Sequence, residues 1–452
     1  MKVSLTIILA SLFIIKISSA STIAIIDSGN DFQHKDLFSK AWINPLEIPG
    51  NDRDEDKNGY PDDVNGWNFA EANSQLIDYK YAYSYDDDAR KFFEVQLKSF
   101  LGTLTQADRD WYKEKIKDPK FIKNLTIFGN WMHGTHVTGI AAKNSPDAKL
   151  LGVKLIPTEV KLPGQFTKEA VSKSIGDTLL KAALVALAQQ QSIVFVEIGL
   201  YLKNAHVDVA NGSFGTPYAA IEGIIEKIFD TFYRRKPTPE ESKKYTMLFL
   251  NTQLEEVKKF LASSPDTLFV FAAGNDGLNN DVFPTSPTNV VAENKISVAA
   301  AMADQSLAVF SNYGEKNVDV AAPGVGIVST IPVDHYIAVS GTSQAAPYVA
   351  NIAGIVKDTN PKLGFAEIKK IIMETVDVKS WLKGAVRTSG LVNRDRAIRA
   401  SLLSRTMDVS KAIVQAKLDV LEKTANDKMN EPKYFQVPKE LILPLPNPLI
   451  FQ

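Results

Sequence analysis

The stretch Thr22-Ile23-Ala24-Ile25-Ile26-Asp27-Ser28-Gly29 places a carboxylate directly after a short apolar run. Such a run, bounded by turn residues, predicts a buried β-strand. Runs of the same kind recur along the chain, at 150–155, 207–210, 268–273 and 295–301. Because helical patterns separate these runs, the sequence predicts an α/β fold with a parallel sheet flanked by helices on both faces.

The composition limits what this fold can do. The chain has 452 residues, of which 45% are hydrophobic and 23% are charged, and this balance is ordinary for a globular protein. Lys and Arg number 51 against 52 Asp and Glu, so no basic excess predicts a nucleic-acid partner. The absence of cysteine excludes disulfides, thiolate catalysis and cysteine metal ligands.

The N-terminus has the three regions of a secretory signal. Lys2 precedes an apolar run over residues 3–15, and Ser18-Ser19-Ala20 supplies small residues for cleavage. We therefore expect a signal peptide over residues 1–20 and a secreted protein, extracellular or periplasmic. The run is too short to span a bilayer, and we expect no membrane span elsewhere in the chain.

Residues 21–403 are expected to form the α/β domain, with two helical insertions at about 71–130 and 217–262. Apolar residues at helical spacing mark both insertions, for example Phe93, Leu97 and Phe100 in the first. The apolar run 192–200 fits neither a strand nor a helix by pattern alone. Residues 404–452 are expected to be a C-terminal extension, with a helix over 408–424 and then a tail rich in proline and apolar residues.

Three motifs supply a carboxylate, an imidazole and a hydroxyl in that order: Asp27-Ser28-Gly29, His133-Gly134-Thr135-His136 and Gly341-Thr342-Ser343. A serine hydroxyl becomes nucleophilic when an imidazole removes its proton, and a carboxylate orients that imidazole. Ala-rich sequence after Ser343 predicts that this serine begins a helix, where backbone N–H groups favour negative charge. Asn275 ends another apolar strand, and its amide can donate to an oxyanion.

These motifs, in this order, resemble the subtilase (subtilisin-like) serine peptidase family. Further stretches resemble the same family, at 146–154, 208–215, 310–314 and 318–324, so the resemblance covers about residues 22–400. It implies a subtilisin-like fold and an endopeptidase that hydrolyses peptide bonds through an acyl-enzyme on Ser343. In that reading His133 is the base, Asp27 orients it, and Asn275 stabilises the oxyanion.

The resemblance also implies how a substrate binds. Family substrates lie as an added strand between two edge segments, so the implied partners are proteins or peptides. Ser213, Phe214 and Gly215 resemble one edge, and Gly164 is expected in the other. Gly274 is expected beside the oxyanion donor. One departure is Gln344, because the family commonly has methionine after the serine.

An acidic loop has the oxygen spacing of the first half of an EF-hand-like calcium site. The expected structural Ca²⁺ ligands are Asp54, Asp56, Asn58, the carbonyl of Tyr60 and Asp62. The bidentate glutamate that usually closes such a loop is missing, and Asn65 stands at its position. The alternative is a solvated acidic turn.

The C-terminal tail has prolines that keep it extended, and its apolar residues would be an aggregation hazard if left in water. We expect it to dock on a folded surface, either in a substrate cleft, where it would hold the enzyme latent, or on the back of the domain. Docking on a neighbouring molecule would give a homo-oligomer.

Two other functions use the same residues: a catalytically silent subtilase-fold binding or scaffold protein, and a peptide maturase or ligase. A metal site on His133 and His136 is the weakest alternative, because the sequence shows no further ligands.

Overall fold

A computed structural model describes residues 20–159, 176–190, 192–303, 306–422, 438–444 and 446. The predicted signal peptide, apart from Ala20, lies outside the described residues, and so does Gly164. The bounds of the strands are β1 Thr22–Asp27, β2 Gly66–Asn68, β3 Lys149–Lys154, β4 Val209–Gly212, β5 Thr216–Pro217, β6 Leu268–Ala272, β7 Thr285–Ser286, β8 Lys295–Met302, β9 Ser306–Leu307, β10 Val320–Pro323, β11 Ile327–Ile331, β12 His335–Val339, β13 Asp377–Val378 and β14 Gly390–Leu391.

The α-helices are α1 Asp87–Phe100, α2 Gln106–Lys115, α3 Pro119–Ala142, α4 Asp177–Gln190, α5 Ser192–Asn204, α6 Tyr218–Ile228, α7 Pro239–Ser263, α8 Thr342–Thr359, α9 Phe365–Glu374, α10 Arg394–Leu403 and α11 Val409–Asp419. Shorter helical turns are Phe38–Lys40, Tyr79–Ser84, Phe229–Tyr233, Ser380–Leu382 and Lys439–Leu441.

One large sheet organises the described part of the chain, with the strand order β13-β14-β10-β8-β6-β4-β1-β3-β2 and with β9 paired to β8. Its central pairs, from β2 to β10, are parallel. The predicted α/β class is therefore confirmed, and each of the five predicted strands is present.

Alternate residues of β1 face opposite sides of the sheet, as the period of a strand requires. Ile23 and Ile25 belong to the core that contains Val137 of α3 and Val349 of α8. Ala24 and Ile26 belong to the core that is formed with α5 and α7, which contribute residues such as Phe195, Ile198, Val257 and Phe260. Helices thus cover both faces, and this explains why the central strands are apolar throughout.

The stretch predicted to be the first insertion contains α1, α2 and the beginning of α3. Thr105 and Asp108 cap α2 reciprocally, as their spacing predicts. Asp118 caps α3, which then runs without a break from the insertion through His133. The insertion is therefore rigidly joined to the helix that carries the predicted base.

The second insertion contains α6 and α7, and a capping box between Thr238 and Glu241 begins α7. The unplaced run 192–200 forms most of α5, which packs against α7 through Phe195 and Phe260, with ring centroids 5.5 Å apart.

One stretch among the described residues, 177–204, is long and apolar enough to cross a membrane by length and composition, with a mean hydropathy of 1.5. The expectation that no such stretch exists is wrong on these two criteria. The criteria are weak evidence for a span, because a core helix of a soluble protein meets them too. In α5, Ile198 and Leu202 are fully buried in the core beside the sheet.

Candidate active site

The predicted catalytic side chains meet at one edge of the sheet. In the sheet, β4 lies between β1 and β6 and pairs with both in parallel, so the three strands end side by side. Asp27 is the last residue of β1, Ser213 follows β4, and Asn275 follows β6 by three residues. The carboxyl ends of parallel strands are where α/β folds place ligands, so this edge is a candidate active site.

Asp27 and His133 form a buried pair at this edge. Asp27 Oδ1 lies 2.6 Å from His133 Nδ1 and also accepts the amide of Ser28 at 2.7 Å. Asp27 is fully buried, and its carboxylate fixes Nδ1 as the protonated nitrogen, so Nε2 is left as the basic atom. Gly134 lets α3 come this close, because a Cβ there would collide with the carbonyl of Gly29.

Ser343 lies in the first turn of α8 and is 2% exposed. Its Oγ donates to the carbonyl oxygen of Ser213 at 3.2 Å, and Ser213 Oγ donates back to the carbonyl of Ser343 at 3.0 Å. No hydrogen bond joins Ser343 to His133 in the described part of the chain. A hydrogen bond from Ser343 Oγ to His133, which the predicted nucleophile needs, therefore requires Oγ to rotate away from Ser213, and catalytic hydrogen bonds often form only when substrate is bound.

Asn275 is held beside Ser343 by its oxygen and presents its nitrogen to a peptide group. Asn275 Oδ1 accepts from the amide and the hydroxyl of Thr342, at 2.9 and 2.7 Å. Asn275 Nδ2 donates to the carbonyl oxygen of Leu443 at 2.9 Å. The predicted oxyanion donor is thus already bonded to a peptide carbonyl, which belongs to the chain's own tail.

The predicted substrate segment contacts the same tail. The amide of Gly215 donates to the carbonyl oxygen of Pro446 at 2.9 Å. Phe214 is 1% exposed and packs on Phe195 and Phe271, so its side chain belongs to the core and not to a substrate pocket.

Gly274 has a positive φ of 120°, and its amide donates to the hydroxyl of Thr342 at 3.2 Å. It therefore holds the Thr342 hydroxyl, which in turn donates to Asn275 Oδ1. Gly164 lies outside the described residues, so its predicted role in the second edge stays a prediction.

The contact between Leu441 and Gln96 was not predicted from the sequence. Leu441 is fully buried, and its carbonyl accepts from Gln96 Nε2 at 2.7 Å. The apolar and proline-rich composition of the tail was the only sequence signal that it docks. Nothing in the pattern of α1 indicated a partner for Gln96.

His136 is fully buried and structural. Its Nε2 lies 3.1 Å from the carbonyl oxygens of Ile327 and Ile337, which belong to the hairpin β11–β12. Burial lowers the pKa of His136 to about 3, so the ring is neutral. The interpretation of His133 and His136 as metal ligands is therefore wrong, because the His133 ring binds Asp27 and the His136 ring binds the hairpin.

The acidic loop gathers oxygens, but not in the predicted set. Carboxylate oxygens of Glu47, Asp54 and Asp56 lie within 4.8 Å of one another. The amide of Asn58 donates to Asp54 Oδ1 and to Asp56 Oδ1, both at 3.0 Å, and the amide of Tyr60 donates to Asn58 Oδ1 at 2.8 Å. Hard oxygen donors of this kind suit Ca²⁺.

Asp62 and Asn65 face elsewhere. Asp62 accepts the amides of residues 50–52 and does not join the cluster, so the inclusion of Asp62 among the ligands needs correction. The side-chain amide of Asn65 donates to the carbonyl of Trp42. Glu47 was missed because it lies before the loop, outside the spacing that indicates an EF-hand-like site.

The sequence of this chain matches the model of the subtilase family over residues 18–405, so the chain belongs to that family. It is 25% identical over 393 residues to subtilisin-like protease 1 of Plasmodium falciparum (isolate 3D7), an alignment that covers 85% of this chain and 44% of that protein. It is 37% identical over 139 residues to alkaline elastase YaB of Bacillus sp. (strain YaB), covering 30% of this chain and 34% of the elastase.

Two solved structures align with most of this chain. A cold adapted subtilisin-like serine proteinase has a TM-score of 0.42 at 16% identity, covering 83% of this chain and 88% of that chain. A lanthipeptide protease has a TM-score of 0.47 at 16% identity, covering 84% and 86%. The chain spans less than half the length of the curated relatives named here.

Proposed function

We propose that this chain is a serine endopeptidase that hydrolyses peptide bonds through an acyl-enzyme on Ser343. The observation that carries the proposal is the hydrogen bond from Asn275 Nδ2 to a peptide carbonyl, 2.9 Å long. It sits at the sheet edge where Asp27 and His133 form their buried pair. An amide aimed at a peptide carbonyl, beside a serine at a helix start, suits acyl transfer.

In the proposed reaction, Ser343 Oγ attacks the carbonyl carbon of the substrate and gives its proton to His133 Nε2. Asp27 holds the imidazolium through Nδ1, and Asn275 donates to the oxyanion. The C–N bond then breaks, and His133 returns the proton to the departing amine. Water, activated by the same imidazole, hydrolyses the ester and frees Ser343.

The tail supports a second part of the proposal, which is latency. The carbonyl of Leu443 accepts from Asn275 Nδ2, and the carbonyl of Pro446 accepts from the amide of Gly215. A substrate strand therefore has to displace both carbonyls of the tail. The residue after Leu443 is Pro444, whose nitrogen carries the pyrrolidine ring and no hydrogen. A tail that presents this bond occupies the site and is cut slowly.

Calcium and secretion complete the proposal. Glu47, Asp54, Asp56 and Asn58 would hold a structural Ca²⁺, which would stiffen the loop that follows Trp42. A cysteine-free protein exported to an extracellular or periplasmic space gains from such an ion, because disulfides are not available to it. Protein or peptide substrates are the partners of this activity.

A fluorophosphonate probe tests the nucleophile. The full chain, the Ser343→Ala variant and a chain ending at residue 437 are each incubated with the probe, and adducts are located by mass spectrometry. We expect one adduct, on Ser343, that forms faster in the shortened chain and not at all in Ser343→Ala. If neither the full chain nor the shortened chain forms an adduct although both are folded, the result would favour the catalytically silent scaffold protein.

Denatured protein offered as substrate then tests the reaction. New N-termini that appear with the full or shortened chain and are absent with Ser343→Ala would establish hydrolysis. Ligated products in the presence of an added amine would favour the maturase.

A further inference from the structure

Leu441 lies in an apolar pocket that the first insertion helps to build. Its side chain is 0% exposed. It belongs to one packed cluster with Phe93 of α1, Trp131 of α3 and Val339 of β12. Leu443 packs at the border of the same cluster. The tail therefore enters the active site from the insertion, with one aliphatic residue fully enclosed.

Gln96 is the polar element of this pocket. It is 1% exposed, on the face of α1 that also buries Phe92, Val95 and Phe100. Its Nε2 donates to the Leu441 carbonyl at 2.7 Å, and its Oε1 is buried without a partner among the described residues. A buried amide that loses its partner is unfavourable, so a glutamine on this apolar face is suited to a bound peptide carbonyl.

We propose that α1 and α3 form an anchor site for the chain's own C-terminal tail, distinct from the catalytic groups. The anchor recognises a large aliphatic side chain together with its backbone carbonyl. Leu441 is its occupant, in the same molecule. The anchored tail keeps the carbonyl of Leu443 on Asn275 and so excludes substrate. Only this consequence rests on the proposed endopeptidase activity.

The register of the tail connects the two sites. The carbonyl bonded to Asn275 belongs to the second residue after Leu441, whose own carbonyl is bonded to Gln96, and two residue steps reach at most roughly 7 Å. None of the described hydrogen bonds of Gln96 reaches Asp27, His133 or Ser343. The anchor can therefore be weakened while the catalytic groups stay intact, and this separates regulation from chemistry.

A thiol readout tests the anchor without any need for activity. The chain has no cysteine, so Leu441→Cys in the full-length Ser343→Ala protein supplies a single thiol. Its reaction rate with a small thiol reagent reports how often the tail leaves the pocket. Adding Gln96→Leu removes the donor and keeps a good helix former, and we expect labelling about tenfold faster.

Gln106→Leu is the matched control, since it is the same substitution at an exposed position of α2 in the same insertion. It should change the labelling rate by less than about twofold, because Gln106 bonds to Asp110 and not to the tail. An unchanged rate in Gln96→Leu, with a melting temperature equal to that of the control, would overturn the anchor. A rate that depends on protein concentration would also overturn it, because the tail would then dock in a neighbour.

Activity on a small chromogenic peptide is the second readout, in the otherwise unaltered full chain. Leu441→Ser should lower the apparent KM by about tenfold to a hundredfold at unchanged kcat, since the tail competes with substrate and depends on burial of this side chain. Leu418→Ser, at a position 68% exposed, should leave KM unchanged. Equal KM values in both variants would refute the inhibitory consequence. Faster thiol labelling with no activity in any form would retain the anchor and reject the endopeptidase.

Discussion

Asn275 performs two tasks with the two ends of one amide, and the structure allows them to be separated. Nδ2 faces the peptide carbonyl, while Oδ1 accepts from the amide and hydroxyl of Thr342. The perturbation is Asn275→Leu, which removes both ends and keeps a similar side-chain volume. Asn275 is 6% exposed, so water does not replace the lost partners freely.

The expected loss of stability in Asn275→Leu follows from the contacts of Oδ1. Asn275→Leu leaves the buried Thr342 amide without its acceptor, and a buried donor left unpaired destabilises by about 1–3 kcal/mol. Thr342→Val is the matched control, because it removes the hydroxyl that bonds Asn275 and Gly274 but leaves Nδ2 in place. We expect similar losses in the free energy of unfolding for the two variants.

The expected loss of turnover in Asn275→Leu follows from the loss of Nδ2 alone. Loss of one oxyanion donor lowers kcat by about 100-fold to 1000-fold, a figure that comes from a subtilisin and hence from a relative of this chain. The assay is kcat at saturating peptide substrate, where competition by the tail does not enter. Asn275→Leu should lose this factor and Thr342→Val should lose less than about tenfold. Equal kcat in parent and Asn275→Leu, or equal losses in both variants, would refute the donor role.

Three further predictions concern stability. Ca²⁺ at one hundred times its dissociation constant should stabilise the fold by about 2.7 kcal/mol, and Asp54→Ala with Asp56→Ala should abolish this effect in thermal melts with and without chelator. His136 is neutral when folded, with a pKa of about 3, so stability should fall by about 1.4 kcal/mol per pH unit as pH drops from 6.5 towards 3, and His136→Gln should flatten this dependence in denaturant titrations. Gly139→Ala should destabilise by about 1–3 kcal/mol because its Cβ would collide with hydroxyls of β11, whereas Gly129→Ala, in open space on the same helix, should be neutral or stabilising by about 1 kcal/mol.

The central sheet was predictable because each strand carries its own signal. Five short apolar runs, bounded by turns, sufficed for strands such as β1 and β6, since strands buried on both faces must be apolar throughout. The run 192–200 was not predictable, because α5 is apolar both on its buried face and at exposed positions such as Ile193 and Leu200, so its pattern resembles that of a buried strand. Periodicity does not separate these two cases.

The catalytic candidates were predictable for a related reason. Asp27 ends a strand, Ser213 and Asn275 each follow one, and the order of parallel strands brings such positions to one edge. The acidic cluster proposed to hold calcium was only partly predictable. Asp54 and Asp56 lie within the loop spacing, whereas Glu47 reaches the cluster through a fold of the preceding chain that no local pattern encodes.

The tail shows why the local sequence predicts that the tail docks but does not predict the surface on which it docks. Its prolines exclude a long helix and its apolar residues must be covered, and many surfaces can satisfy those two requirements. The choice among them depends on Gln96, which is more than three hundred residues away in sequence and reads as an ordinary helix residue. Only the folded chain reveals that this glutamine is buried on an apolar face, where its amide needs a carbonyl. The register then follows, because a tail fixed at Leu441 reaches Asn275 with the carbonyl of Leu443. The anchor on α1 therefore adds to the two hydrogen bonds that the tail makes with Asn275 and Gly215, and a chain with the same tail but without α1 would keep only those two bonds.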